Sequence, residues 1–152
     1  MIEFRDYQEE IISQGSETLI HNGFLYLAME VRTGKTLTSL GICESLDVDN
    51  VLFITKKKAI SSITDDSDLL CPSYNLFVIN YESLHKLPSI DWDVIVCDEA
   101  HGMGAFPKPS KRAKQVKKLI VDHRPYVILM SGTPTPESFS QMYHQVYGIP
   151  SN

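Results

Sequence analysis

Five short, continuously apolar runs punctuate this chain: FLYLAM (24–29), VLFIT (51–55), NLFVIN (75–80), DVIVCD (93–98) and YVILMS (126–131). Runs of this length without polar alternation fit strands buried on both faces. Between them the spacing turns helical. Residues 5–20 place Tyr7, Ile11, Ile12 and Leu19 roughly on one face, and HNG ends that helix with Gly23 as its cap. Residues 35–46, 110–122 and 137–147 also read as helices. The segment 56–73, which holds SSITDDSD, reads either as a short helix or as a mobile loop. Apolar strands alternating with helices predict an α/β fold. Its centre is a parallel sheet of at least five strands with helices on both faces. In such sheets ligands bind beyond the carboxyl ends of the strands, and the polar motifs below fall at those ends.

Composition sets outer bounds. The 152 residues, 43% hydrophobic and 22% charged, suit one domain with a real core, spanning 1–152. No apolar run approaches the ~20 residues of a membrane span, so no membrane partner is expected. The opening MIEFRDYQEE is acidic and unlike a signal peptide. Cys43, Cys71 and Cys97 are odd in number and far apart, which favours free thiols and a cytoplasmic setting. No cysteine or histidine pair has zinc spacing. His21, His85, His123 and His144 read as ordinary histidines. The net charge of −5 argues against strong non-specific nucleic-acid binding, but its distribution is uneven. KPSKRAKQVKK (108–118) holds six bases and no acid, while residues 1–50 hold nine acids and three bases.

Candidate chemistry begins at MEVRTGKT (29–36). The phosphate-loop pattern is G-x-x-x-x-G-K-[ST]. Gly34, Lys35 and Thr36 fit its end, whereas Met29 stands at the first glycine. The stretch lies between a predicted strand and a predicted helix, where helix N–H groups and the helix dipole favour phosphate. Lys35 would reach the β- and γ-phosphates, and Thr36 would give a hydroxyl to Mg²⁺. A helix start that merely contains Gly-Lys-Thr is the alternative. The second element is VIVCDEAH (94–101), an apolar strand that delivers Asp98 and Glu99 to its carboxyl end. Asp98 suits a Mg²⁺ ligand and Glu99 a base for the attacking water.

Together, GKT (34–36) and DEAH (98–101) resemble the first motor domain of superfamily 2 helicases and translocases, a RecA-like P-loop NTPase domain. Further ordered matches extend the resemblance from residue 4 to about 147. FRDYQ (4–8) resembles the adenine-recognition motif, which implies Gln8 on the adenine edge and Arg5 stacked on the ring. VLFITKKKAI (51–60) resembles the motif after the next strand, and INYESL (79–84) a tyrosine-containing motif of the Swi/Snf-type branch. LMSGTPTPES (129–138) resembles the motif that couples hydrolysis to nucleic-acid movement. The resemblance implies ATP and Mg²⁺ as cofactors. It puts Arg32, Thr33, Gly34, Lys35 and Thr36 in the nucleotide loop, with Lys35 also catalytic. It implies Thr36 and Asp98 on the metal and Glu99 as catalytic base. His101, Ser131 and Thr133 then fall in coupling, with Gly132 and Pro134 shaping the turn.

Arg32 departs from the pattern, standing where a glycine is usual. It either leans over the phosphates or points outward. Lys56 replaces a common proline, which leaves Lys57 on the basic position. Lys57 and Tyr81 are expected in two loops at the sheet's carboxyl end, where the resemblance puts nucleic acid. Solvated lysines are the alternative. On the helix at 110–122, Ala113, Val116, Leu119 and Ile120 form an inward face, and Lys111, Lys114 and Lys118 lie on another. Such a charged face is ordinarily only solvated. The irregular GMGAFPKPS (102–110) before it reads as an exposed loop.

Superfamily 2 motors have two such domains, and the second brings arginines to the γ-phosphate. The second motor domain is expected to be absent from this chain and to act in cis or in trans. The main expectation is thus the ATP-binding half of a helicase or translocase, weak alone, in a bacterial or phage-infected host cytosol. The Swi/Snf-like motifs favour double-stranded DNA as the nucleic acid. A stand-alone nucleotide-binding interaction module is the alternative. A small-molecule kinase explains neither DEAH nor SGTP.

Overall fold

The computed structural model describes residues 6–28, 34–88, 90–98 and 111–131. Helix α1 (Asp6–Asn22) leads into strand β1 (Phe24–Ala28), and α2 (Lys35–Ser45) into β2 (Asn50–Thr55). A one-turn 3-10 helix (Lys57–Ala59) and α3 (Ile60–Leu70) connect β2 to β3 (Asn75–Asn80). A second 3-10 helix (Tyr81–Lys86) precedes β4 (Val94–Cys97), and α4 (Lys111–His123) precedes β5 (Tyr126–Ser131).

All five strands join one sheet in the order β1-β5-β4-β2-β3, and each neighbouring pair is parallel. This is the α/β parallel sheet that the apolar runs predict. Side chains alternate across it and build two cores. Val51, Phe53, Val94, Val96, Ile128 and Met130 face one side, packed with Leu19, Leu40, Ile42 and Ile63 from α1, α2 and α3. Leu52, Ile54, Ile95, Cys97, Val127 and Leu129 face the other, with Tyr81, Leu84, Val116 and Ile120 from the second 3-10 helix and α4. Both faces are covered, so the central strands carry no polar alternation.

Local chemistry sets the element ends. Gly23 takes a left-handed φ of 75° and its N–H donates to the Leu19 carbonyl at 2.7 Å, the expected cap of α1. The uncertain segment 56–73 is largely helical. Ile63 and Leu70 turn inward from the same helical face, about two turns apart, while Asp65 and Asp68 stay exposed. At the far end of the sheet, Asp93 Oδ2 accepts the N–H groups of Asp49 (3.0 Å) and Asn50 (2.9 Å), which pins the start of β2 beside β4. On α4, Val116 and Ile120 are buried, Leu119 is half-buried and Lys118 is exposed, as the helical wheel predicts. The expected helix at 137–147 and the loop at 102–110 lie outside the described residues. Among those described, the three cysteines are free and no helix is long and apolar enough to cross a membrane.

Candidate nucleotide-binding site

Strand register brings the candidate motifs to one edge. Ile54 on β2 pairs with Cys97 on β4, and Cys97 pairs with Leu129 on β5. Leu27 on β1 pairs with Met130, and Ala28 with Ser131. Asp98 therefore leaves β4 about two strand spacings, roughly 10 Å, from the end of β1. Strand β5, which ends in Ser131, runs between them. Alternation then decides the face. Val94 and Val96 point to the side covered by α2, so the next residue of that parity, Asp98, does as well. The start of α2 and the Asp98 side chain thus share one face at the carboxyl end of the sheet.

Helix α2 begins after Gly34, which takes a left-handed conformation (φ 74°, ψ 36°) that carries strain for other residues. Its first backbone bond runs from the Thr38 N–H to the Gly34 carbonyl at 3.0 Å, and the Thr38 hydroxyl donates to the same carbonyl at 2.9 Å. As the N-cap residue, Gly34 has no side chain with which to cap the helix. The first N–H groups of a helix have no acceptor inside it, so they face whatever lies before the turn. A Cβ on residue 34 would run into the Gln8 carboxamide nitrogen. Gln8, itself buried, therefore lies directly against the glycine of the loop. The sequence predicts both residues for the nucleotide, and the fold joins them although 26 positions separate their places in the chain.

Asp98 is held from several directions. It is 5% exposed. Its N–H donates to the Ile54 carbonyl at 2.8 Å, and its Oδ2 accepts the Thr55 hydroxyl at 2.9 Å. From the opposite sheet face the Tyr81 hydroxyl donates to the Asp98 carbonyl oxygen at 2.6 Å. The neighbouring Cys97 thiol is pushed up to about 12, first by burial and then by the Asp98 charge. Burial also raises Cys43 on α2, and it raises Tyr74, whose hydroxyl donates to the Leu40 carbonyl at 2.8 Å.

Tyr81 corrects an expectation. It starts a 3-10 helix instead of lying in an open loop, and it is 1% exposed, so its side chain supports β4 from within the core. A buried ring has no surface to offer nucleic acid. Lys57 does lie at the carboxyl end of β2, and with Lys56 and Lys58 it forms three exposed lysines. Thr36 is half-buried at the start of α2. Lys35 opens α2, and Ser131 closes β5. Arg5, Arg32, Thr33, Glu99, His101 and Thr133 lie outside the described residues. Thr55 was not among the candidates. Its signal is slight, a lone hydroxyl closing the apolar run VLFIT, and its partner stands 43 positions away.

The arrangement is that of an N-terminal RecA-like domain of a superfamily 2 helicase or translocase. The SNF2-related domain family matches residues 44–146, and this chain belongs to it. A second family, the Type III restriction enzyme res subunit, matches residues 1–68. RNA polymerase-associated protein RapA of Yersinia pestis (strain Pestoides F) is 32% identical over 80 residues, which is 53% of this chain and 8% of that protein. The Sulfolobus solfataricus SWI2/SNF2 ATPase core, solved in complex with dsDNA, superposes with a TM-score of 0.72 at 18% identity. That match covers 94% of this chain and 35% of the other. The ATP-dependent Type ISP restriction-modification enzyme LlaBIII, solved bound to DNA, superposes at 0.58 with 21% identity, over 88% of this chain and 13% of that one. These structural likenesses establish the fold.

Proposed function

We propose that this chain is the ATP-binding motor half of an ATP-dependent DNA helicase or translocase. It would hydrolyse ATP with Mg²⁺ and move on duplex DNA when a second RecA-like domain, in cis or in trans, completes the site. One observation carries this reading. The glycine-led N-terminus of α2 and the buried Asp98 carboxylate share one face at the carboxyl end of the sheet.

The residues suit the ligands. Helix N–H groups at Gly34, Lys35 and Thr36 suit phosphate oxygens, and the absent Cβ at 34 leaves room for Gln8 to lie against the loop. The Thr36 hydroxyl and the Asp98 carboxylate are hard oxygen donors of the kind Mg²⁺ takes. The ion would neutralise charge on the phosphates. Lys35 would add its ammonium at the β- and γ-phosphates, and Glu99 would take the proton of the attacking water. Gln8 would read the adenine edge, with Arg5 on the ring. Strand β5 separates β1 from β4, so Ser131 ends between the two halves of the site. That supports a coupling role for Ser131, in which Thr133 and His101 would share by the motif resemblance. Lys57 and its two lysine neighbours would meet DNA phosphates.

The test is ATP turnover stimulated by duplex DNA, with a second RecA-like domain supplied. Glu99→Gln should lower turnover by about 10²–10⁴ and leave nucleotide binding in place. Untouched turnover removes Glu99 from its role. Robust multiple turnover by this chain alone contradicts the half-motor reading. Binding with no stimulated turnover in any combination favours an interaction module instead.

A further inference from the structure

We propose that Thr55 is a positioning residue for the Asp98 carboxylate, holding it in the orientation that receives the divalent cation of the nucleotide. The inference rests on the reading of Asp98 as a metal ligand and extends it to Thr55, which lies within the 51–60 stretch but carries no role in the sequence reading.

The geometry comes from the sheet. Parallel pairing of Ile54 with Cys97 sets Thr55 beside Asp98 one step further on, about one strand spacing apart. Both side chains have the parity of Val51, Phe53, Val94 and Val96, so both point to the α2 face. Thr55 is fully buried. Its branched Cβ restricts χ1, so the hydroxyl has little freedom beyond its bond to Oδ2. A hydroxyl has a single hydrogen to donate, and here it is donated to the carboxylate oxygen Oδ2. That bond ties Oδ2 in place and so constrains the plane in which the carboxylate lies. The main chain on either side of the carboxylate is fixed as well, by the Asp98 N–H on the Ile54 carbonyl and by the Tyr81 hydroxyl on the Asp98 carbonyl. With the backbone held, the orientation of the carboxylate depends chiefly on its own side-chain contacts. Hydrogen-bond partners of metal-binding carboxylates commonly change metal affinity by about 10- to 100-fold.

The test uses the 152-residue chain, a fluorescent N-methylanthraniloyl-ADP and a Mg²⁺ titration. Thr55→Val keeps the shape and removes the hydroxyl, whereas Thr55→Ser keeps the hydroxyl. The Val variant should raise the Mg²⁺ midpoint about tenfold with metal-free nucleotide affinity unchanged, and Ser should restore the wild-type midpoint. A purely structural role would lower the melting temperature and leave the metal midpoint alone, which overturns the proposal. Asp98→Asn separates the two levels. If it abolishes the metal dependence while Thr55→Val does not shift it, Thr55 alone is wrong. If Asp98→Asn changes nothing, both readings fall. A measurement on the wild type covers a Val variant that fails to fold. Mn²⁺ added with ADP should broaden the Thr55 methyl resonance before the methyl resonances of Val127 and Leu129, which face the other side of the sheet. A sharp Thr55 methyl at saturating Mn²⁺ overturns the proposal.

Discussion

The Tyr81 hydroxyl donates to the main-chain carbonyl of Asp98 at 2.6 Å, from the sheet face opposite the one that carries the Asp98 side chain. This bond joins the end of β3 to the end of β4 across β2, which lies between them. A residue that the sequence assigns to a nucleic-acid loop thus braces the site's acidic strand.

Tyr81→Phe should lower stability by about 1 kcal/mol, a fall of roughly 2–4 °C in melting temperature for a chain of this size. Duplex DNA affinity at low salt should stay within about twofold of wild type, because the ring is 1% exposed and surface contacts dominate such binding. Thermal melting and fluorescence anisotropy read the two effects. Unchanged melting with a large loss of DNA affinity would restore Tyr81 to the nucleic-acid surface.

At Gly34 the left-handed φ and the Gln8 carboxamide both oppose a side chain. Gly34→Ala should destabilise the chain by about 1–2 kcal/mol from backbone strain alone, with a further loss from displacing Gln8. In a Gln8→Ala background only the strain remains, so the penalty should shrink. Urea unfolding of the four chains gives this coupling directly. Additive effects would place Gln8 away from the loop glycine.

Alkaline pH should weaken the fold. The Cys97 thiol is raised from its ordinary 9.0 to about 12, chiefly by burial. The unfolded chain loses that proton near pH 9 while the folded chain keeps it. The stabilisation is therefore complete below pH 9 and is lost as pH rises toward 12. Cys43 and Tyr74 shift the same way. Urea midpoints should decline from pH 9 upward, and a flat profile to pH 11 would contradict this. In the native chain near neutral pH, only the exposed Cys71 should react quickly with a thiol reagent.

Lys57→Ala should weaken duplex binding for every sequence alike and reduce the salt slope by about one. Lys56 and Lys58, exposed beside it, should behave in the same way. A lysine merely solvated in its turn would leave both the affinity and the slope unchanged.

Much of this architecture was legible because buried parallel strands write themselves as unbroken apolar runs. All five strands stand within a residue of those runs, but β3 lies at the sheet edge and buries none of its six residues, so its apolar run marked a strand without marking burial on both faces. Gly23 announced the end of α1 for an equally local reason. The segment 56–73 was less clear because the apolar positions that fold it inward, Ile63 and Leu70, are few among acids that stay in water. Tyr81 does follow β3 at the carboxyl end of the sheet, but its burial was not legible, because a motif resemblance does not say which way a side chain turns in the 3-10 helix there. Thr55 was missed for a different reason. Its meaning comes from Asp98, brought alongside by strand pairing, and spacing along the chain carries no trace of that contact.

The central claim is nucleotide binding by this face of the sheet, and calorimetric titration of the chain with ATP and Mg²⁺ tests it most directly. The account predicts saturable one-to-one binding that depends on Mg²⁺, is lost in Lys35→Ala and is weakened in Asp98→Asn, with little change in melting temperature. Absence of saturable binding, or binding indifferent to both substitutions, would contradict it.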